Sequence, residues 1–309
     1  MATGAHGGLG FTFRNPDIAV TESGLAIAVW QNCEVATNIC STWMLRSDNL
    51  IQVEVLDTGT HSRGLPLVAS RGDVIYAVHE VTNASGGSAL KFCLVVPTRD
   101  TCHWVSLNSD KTDLHTDVTA AVTGMGTLHV SYLINTTTDS TAFYADNAGD
   151  VTQDMMDELN HQLNMGTAHF DQNESFLPPA IALETDDGFF YIALVTHNLT
   201  SDILTVYFAN PFNLMPTGDI QDMNLAAAKE WDITGRPAIT GGPSNATVAF
   251  PAYTTDHPSQ TEIYWVSYTA NGAINAPSRP YPTNLAANYN DCDPRVTLVG
   301  GALALGWHI

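Results

Sequence analysis

A short apolar strand, a polar turn and a second strand of alternating small and large apolar residues recur six times along this chain. The clearest copy is Arg236-Pro-Ala-Ile-Thr, a Gly241-Gly-Pro-Ser turn, then Asn245-Ala-Thr-Val-Ala-Phe-Pro-Ala-Tyr253. The others run from Pro16 to Trp30, Pro66 to Val78, Val118 to Tyr132, Pro179 to Leu194 and Pro294 to Trp307. Positions 16, 66, 118, 179, 237 and 294 are separated by 50, 52, 61, 58 and 57 residues. A period of that size in an all-strand sequence marks a radial repeat, here an all-β, six-bladed β-propeller. One four-stranded sheet leaves both faces bare, and six packed around an axis cover each other. A β-sandwich with coincidental spacing is the competing architecture.

Six even repeats in 309 residues argue for one propeller domain, residues 15–309, behind a Gly-rich arm, residues 1–14. One helix is expected, Val151 to Leu163, with Thr152 as cap and Met155, Met156, Leu159 and Leu163 at helical spacing. The sixth couplet reaches the last residue, Ile309, two strands short of a blade, and an unpaired sheet edge needs a partner. The arm, ending in Gly10-Phe-Thr-Phe-Arg14, is expected to complete that blade in its own subunit or in a neighbour. Exchange between neighbours, repeated head to tail, would build an open filament.

Charged residues make up 14% of the chain and the net charge is −21. Phosphate binding needs clustered Lys and Arg, so nucleic acid is excluded as a partner and anionic membrane surfaces are disfavoured. No run of 18 apolar residues occurs, so no membrane insertion is expected. The opening residues are too polar and Gly-rich for a secretory signal, so a secreted form would carry its signal outside this numbering.

Of five cysteines, Cys33 and Cys40 flank one turn, and Cys93 and Cys102 another. Each pair is spaced to close a hairpin as a disulfide, with four buried thiols as the alternative. Neither spacing is C-x-x-C and no His pair accompanies them, which argues against zinc. Hairpin disulfides imply an oxidising compartment, outside the cell or on its surface. Cys292 is left as a free thiol or a bond to another chain.

Asn-x-Ser/Thr sequons stand at Asn83, Asn135, Asn173, Asn198 and Asn245. Asn83, Asn135 and Asn198 follow the second strands of successive blades, where hairpin tips suit glycans. Asn288-Tyr-Asn-Asp-Cys-Asp293 gathers oxygen ligands, with Asp291 and Asp293 as candidates for a structural calcium. No other cofactor is expected. His129 alternates within a strand and reads as a satisfied packing residue. No nucleophile elbow, phosphate loop or dinucleotide motif is present.

Phe143-Tyr-Ala-Asp-Asn-Ala-Gly-Asp150, Val206-Tyr-Phe-Ala-Asn-Pro211 and Tyr268-Thr-Ala-Asn-Gly-Ala273 follow third strands. With the blade rhythm, they resemble the sialidase-like propellers of the BNR or Asp-box superfamily. No complete Asp-box occurs: Ala145 replaces the hydroxyl residue, and no aromatic closes the motif. Phe13-Arg14-Asn15-Pro16 is similar to the Phe/Tyr-Arg-Ile-Pro motif that opens true sialidases. The resemblance implies that Arg14 helps to clamp a carboxylate. Arg236 and Arg295 stand at the starts of innermost strands and are expected to face the same channel mouth. The family's nucleophilic Tyr, its Glu partner and its acid Asp have no counterpart here.

Together these features read as a secreted or surface-exposed structural or binding propeller without catalysis. Its expected partners are further copies of itself, assembled head to tail as a glycosylated filament, and glycans. Two alternatives stand beside it. One is a carbohydrate-active enzyme of sialidase or glycosidase type, which needs two facing carboxylates. The other is a calcium-stabilised lectin or adhesin.

Overall fold

Proline cannot donate to a strand ladder, so the prolines opening five of the six couplets call for a break at the start of each first strand. The structure is a computed structural model. It describes residues 10–49, 53–57, 61–82, 87–100, 102–107, 114–124, 126–135, 140–146, 161–162, 175–183, 190–197, 202–209, 222–223, 231–242, 245–254, 257–269, 272–273, 278, 292–299 and 302–308. The break recurs throughout. Asn15-Pro16 and Asp293-Pro294 are β-bulges. Pro66, Pro178-Pro179 and Pro237 each lie in a gap of the ladder. The third couplet lacks the proline yet keeps the bulge, between Thr116 and Thr119, with Asp117 at φ 59°. Asn15 takes the same left-handed conformation at the matching place, φ 53°.

Each of the six couplets is an antiparallel pair. They are Phe11–Val20 with Ala26–Glu34, Leu67–Arg71 with Val74–Thr82, and Leu114–Val122 with Leu128–Asn135. Ala180–Leu183 pairs with Phe190–His197, Ala238–Gly242 with Asn245–Thr254, and Cys292–Val299 with Ala302–His308. The first five continue through third strands Cys40–Arg46, Ser88–Val96, Ser140–Asp146, Ile203–Ala209 and His257–Thr269 to a short fourth strand. These meanders are β-propeller blades. The sixth couplet is a two-stranded sheet among the described residues, so six couplets do not amount here to six complete blades. A two-residue strand, His61–Ser62, pairs with both Cys40 and Val81 and joins the first two blades into one nine-stranded sheet.

The chain divides into two units, residues 1–137 with 143–161 and residues 138–142 with 162–309. In the first, alternate residues of the second blade serve two cores. Ile75, Ala77, Cys93 and Val95 pack on Ile27, Val29 and Met44 of the first blade. Tyr76, Val78, Leu90 and Phe92 pack on Val118, Leu128, Val130 and Tyr132 of the third. In the second unit, Ala193, Val195 and Leu204 pack against Ile233, Val248, Phe250, Tyr264 and Val266. Each large side chain so buried contributes about 1.5–3 kcal/mol, which makes these seams the main cohesion between neighbouring blades.

Three expectations need correction. Phe11–Arg14 is not a separate closing arm. It is the first half of the strand Phe11–Val20 and pairs with Gln31–Glu34, so a boundary at 14/15 would fall at a bulge inside one strand. Residues 1–9 lie outside the described residues. The end of the expected helix is a strand instead: His161–Gln162 pairs beside Ser140–Asp146, a long-range backbone contact that local spacing does not record. Residues 151–160 and 163 lie outside the described residues. Asn135 ends a strand opposite Leu114 and is half-buried, rather than standing free in a loop. Both expected disulfides are present, Cys33–Cys40 across one hairpin and Cys93–Cys102 between the third and fourth strands of the second blade.

Candidate functional site

A charged residue inside an apolar strand needs a reason, and Glu80 in Val74–Thr82 is one. Its side chain is only 6% exposed. The Arg63 backbone N–H donates to the Glu80 carbonyl at 3.0 Å, which brings the chain at Gly64 over the carboxylate. A Cβ at position 64 would stand 1.9 Å from Glu80 Oε2, so only glycine leaves room for this carboxyl group. Burial pushes the Glu80 pKa up to about 8, the charge of Asp117 adds to the rise, and the Asp117 backbone N–H and Arg63 oppose it. Burial thus favours the form of Glu80 that keeps its proton. Asp117 sits on the left-handed bulge of the third blade and is half-buried, while Arg63 is exposed.

A polar seam leads to this pair across the first two blades. Asn15 Nδ2 donates to Gln31 Oε1 at 2.7 Å, and Gln31 Nε2 donates to Ser62 Oγ at 3.0 Å. Ser62 precedes Arg63, so the seam runs from one left-handed bulge toward the other. Residues held in such sparsely populated conformations cluster at ligand sites. What the arrangement can do is hold a proton: burial favours the protonated form of Glu80, the Asp117 backbone N–H is hydrogen-bonded to it, and the Asp117 charge is close enough to add to the rise.

The residues singled out by sequence fall elsewhere. Arg14 is exposed and lies opposite Gln31, in the first unit. Arg236 and Arg295 belong to the second. Arg236 Nε donates to the Pro179 carbonyl at 3.2 Å, and Arg295 is exposed opposite Gly306. Asn245 is exposed at the start of its strand, and Asn83, Asn173, Asn198 and Asp291 lie outside the described residues. Cys292 and Asp293 open the strand Cys292–Val299, at its bulge. His129 is a partnered packing residue, as expected: its Nδ1 meets Tyr144 Oη at 2.6 Å, and that hydroxyl donates to Asp146 Oδ2 at 2.7 Å. Burial lowers the His129 pKa to about 4 against the opposing pull of Asp146. Glu80 and Asp117 were missed because 37 positions separate them in sequence. The available signal was one acidic side chain in the run Val74-Ile-Tyr-Ala-Val-His-Glu-Val81.

No family model and no curated protein sequence matches the chain. Solved structures do. The polysaccharide lyase Uly1 matches with a TM-score of 0.58 at 11% identity, over 94% of this chain and 73% of that one. A Mycobacterium tuberculosis puromycin-hydrolyzing peptidase matches with a TM-score of 0.50 at 13% identity, over 96% of this chain and 43% of that one. The Hadza microbial sialidase Hz136 matches with a TM-score of 0.48 at 11% identity, over 93% of this chain. The chain spans 61% of the sialidase and less than half of the peptidase. At these identities the likeness is one of fold alone, and it is carried by the lyase and the peptidase.

Proposed function

We propose that this chain is an extracellular carbohydrate-active propeller that cleaves a neutral glycan beside the second and third blades. The carrying observation is Glu80, a carboxylic acid raised to a pKa of about 8 and set beside the carboxylate of Asp117. A glycosidase needs one carboxyl that still holds its proton at working pH and a second that acts as base or nucleophile. In this reading Glu80 protonates the departing glycosidic oxygen, Asp117 activates water or attacks the anomeric carbon, and Arg63 orients the sugar. A net charge of −21 repels polyanions at long range, which favours a neutral glycan over a sialylated or uronate-rich one. Several solved structures of similar fold act on carbohydrate by title, the polysaccharide lyase Uly1 among them.

A second reading has its own support. Asp17 Oδ2 accepts the Val68 N–H at 2.8 Å from the next blade, and Asp202 Oδ2 accepts the Ile233 N–H. Glu80 receives the Asp117 N–H in the same manner. Carboxylate-to-backbone links would then tie consecutive blades of a non-catalytic binding scaffold. Self-association, a calcium at Asp291 and Asp293, and glycans on the sequons belong with that reading.

The test is hydrolysis of a panel of neutral oligosaccharides by the full chain, with Glu80→Gln and Asp117→Asn alongside. Catalysis requires release of reducing ends, and each substitution should lower it about 100-fold or more without loss of fold. If no member of the panel is cleaved and electron microscopy shows polymers, the scaffold reading stands.

A further inference from the structure

His79 precedes Glu80 on the same strand and so points to the opposite face, toward the first blade. It is fully buried, and among the described residues neither Nδ1 nor Nε2 has a hydrogen-bond partner. An imidazole without partners in a dry core is costly, and a native structure needs a reason to keep one. One ring nitrogen of His79 and the Sγ atoms of Cys93 and Cys102 all lie within 4.8 Å of one another. The sulfurs are now bonded to each other. We propose that reduction of Cys93–Cys102 converts this cluster into a zinc site, with the His79 imidazole and two thiolates as ligands.

The chemistry balances with a dithiol as reductant. It gives two electrons and two protons to the S–S bond, leaving two thiols, and is itself oxidised to a disulfide. Zinc then replaces the two thiol protons, which are released to solvent. Thiolate and imidazole are the ligands zinc prefers, at about 2.3 and 2.0 Å, and separations within 4.8 Å suit a tetrahedral ion after a small inward shift. The ion pair of Lys91 Nζ with Asp57 Oδ2, at 2.7 Å, lies nearby, and the lysine is held over the Trp104 ring. A single histidine suffices for this ligand set, because the disulfide holds the other two ligands until it is reduced. The site is independent of the Glu80 chemistry, which faces the third blade.

Cobalt titration tests it, using the full chain with Cys33→Ser, Cys40→Ser and Cys292→Ser so that only two thiols remain. After dithiol treatment the protein should bind one equivalent of Co²⁺, with thiolate-to-cobalt charge-transfer absorption that Zn²⁺ abolishes. Before treatment it should bind none. His79→Leu should weaken binding by about 100-fold. Should that background fold poorly, Cys93→Ser/Cys102→Ser in the natural chain must abolish the charge-transfer band instead. Equal affinity with and without His79 overturns the proposal, as does a reduced protein that gains no cobalt absorption. Binding that accompanies loss of the strand circular dichroism signal overturns it too.

Discussion

In the second blade the Arg63 N–H meets the Glu80 carbonyl at 3.0 Å; in the fifth, the Thr234 N–H meets the Pro251 carbonyl at 3.0 Å. Counting from the turn pairs Arg71–Val74 and Gly242–Asn245 sets His79 and Glu80 against Phe250 and Pro251, and Gly64 against Gly235. The ladder is the same, and the side chains differ. One blade buries an imidazole and a carboxyl where the other buries a phenyl ring and a pyrrolidine. The apolar version shows that the backbone does not require either ionisable group. The second blade therefore keeps His79 and Glu80 at a cost in stability that its own folding does not explain.

The largest expected effect comes from filling the two glycines. Gly64→Ala drives a methyl into the buried Glu80 carboxyl and should destabilise by about 3 kcal/mol. Gly235→Ala meets only Pro251 Cγ, at 3.1 Å, and should cost about 1 kcal/mol. Paired denaturant titrations check both. Equal losses would mean that the two positions are not structurally matched.

Next comes the pH dependence of Glu80. Its pKa rises on folding from 4.5 to about 8, so the folded chain keeps a proton that the unfolded chain has released. Stability should fall as pH climbs through that window, and Glu80→Gln should flatten the fall by roughly 2 kcal/mol between pH 5 and 9. His79 supplies the opposite slope. Its pKa drops on folding from 6.5 to about 4, so the unfolded chain takes up a proton first and stability is lost as pH falls through that range. His79→Phe, the residue of the fifth blade, should remove roughly 1–2 kcal/mol of that acid sensitivity. Melting curves from pH 4 to 9 measure both. The smallest effect is in the fifth blade, where Arg236→Ala forfeits the bond to Pro179 and should cost about 1 kcal/mol, with no change in pH profile.

The couplets were legible because burial on both faces of a blade forces small and large apolar residues into a period of two. The couplet from Pro66 to Val78 became Leu67–Arg71 and Val74–Thr82 with its turn where Gly72 stands. Cys33 and Cys40 were legible because seven residues with a turn between them must bring the two sulfurs together. The site was not. Glu80 and Asp117 meet through packing of separate blades, and Gly64 matters only for what stands over it, which no local pattern records. Arg14 stands in a short motif and Arg236 and Arg295 at the starts of inner strands, and neither signal records contacts between blades: Arg236 reaches the Pro179 carbonyl, 57 positions away. At His161–Gln162 the main chain pairs beside Ser140–Asp146, a long-range contact that helical spacing does not record, while the residues carrying that spacing lie outside the described ones.

The two-residue strand His61–Ser62 stitches Cys40 to Val81 by main-chain bonds. Amide protons from Phe11 to Leu107 should then exchange with deuterium as a single cooperative block, slower than those of any later blade. A pulling force applied at the N-terminus would meet that block whole, and peeling would stall until both of its blades let go at once.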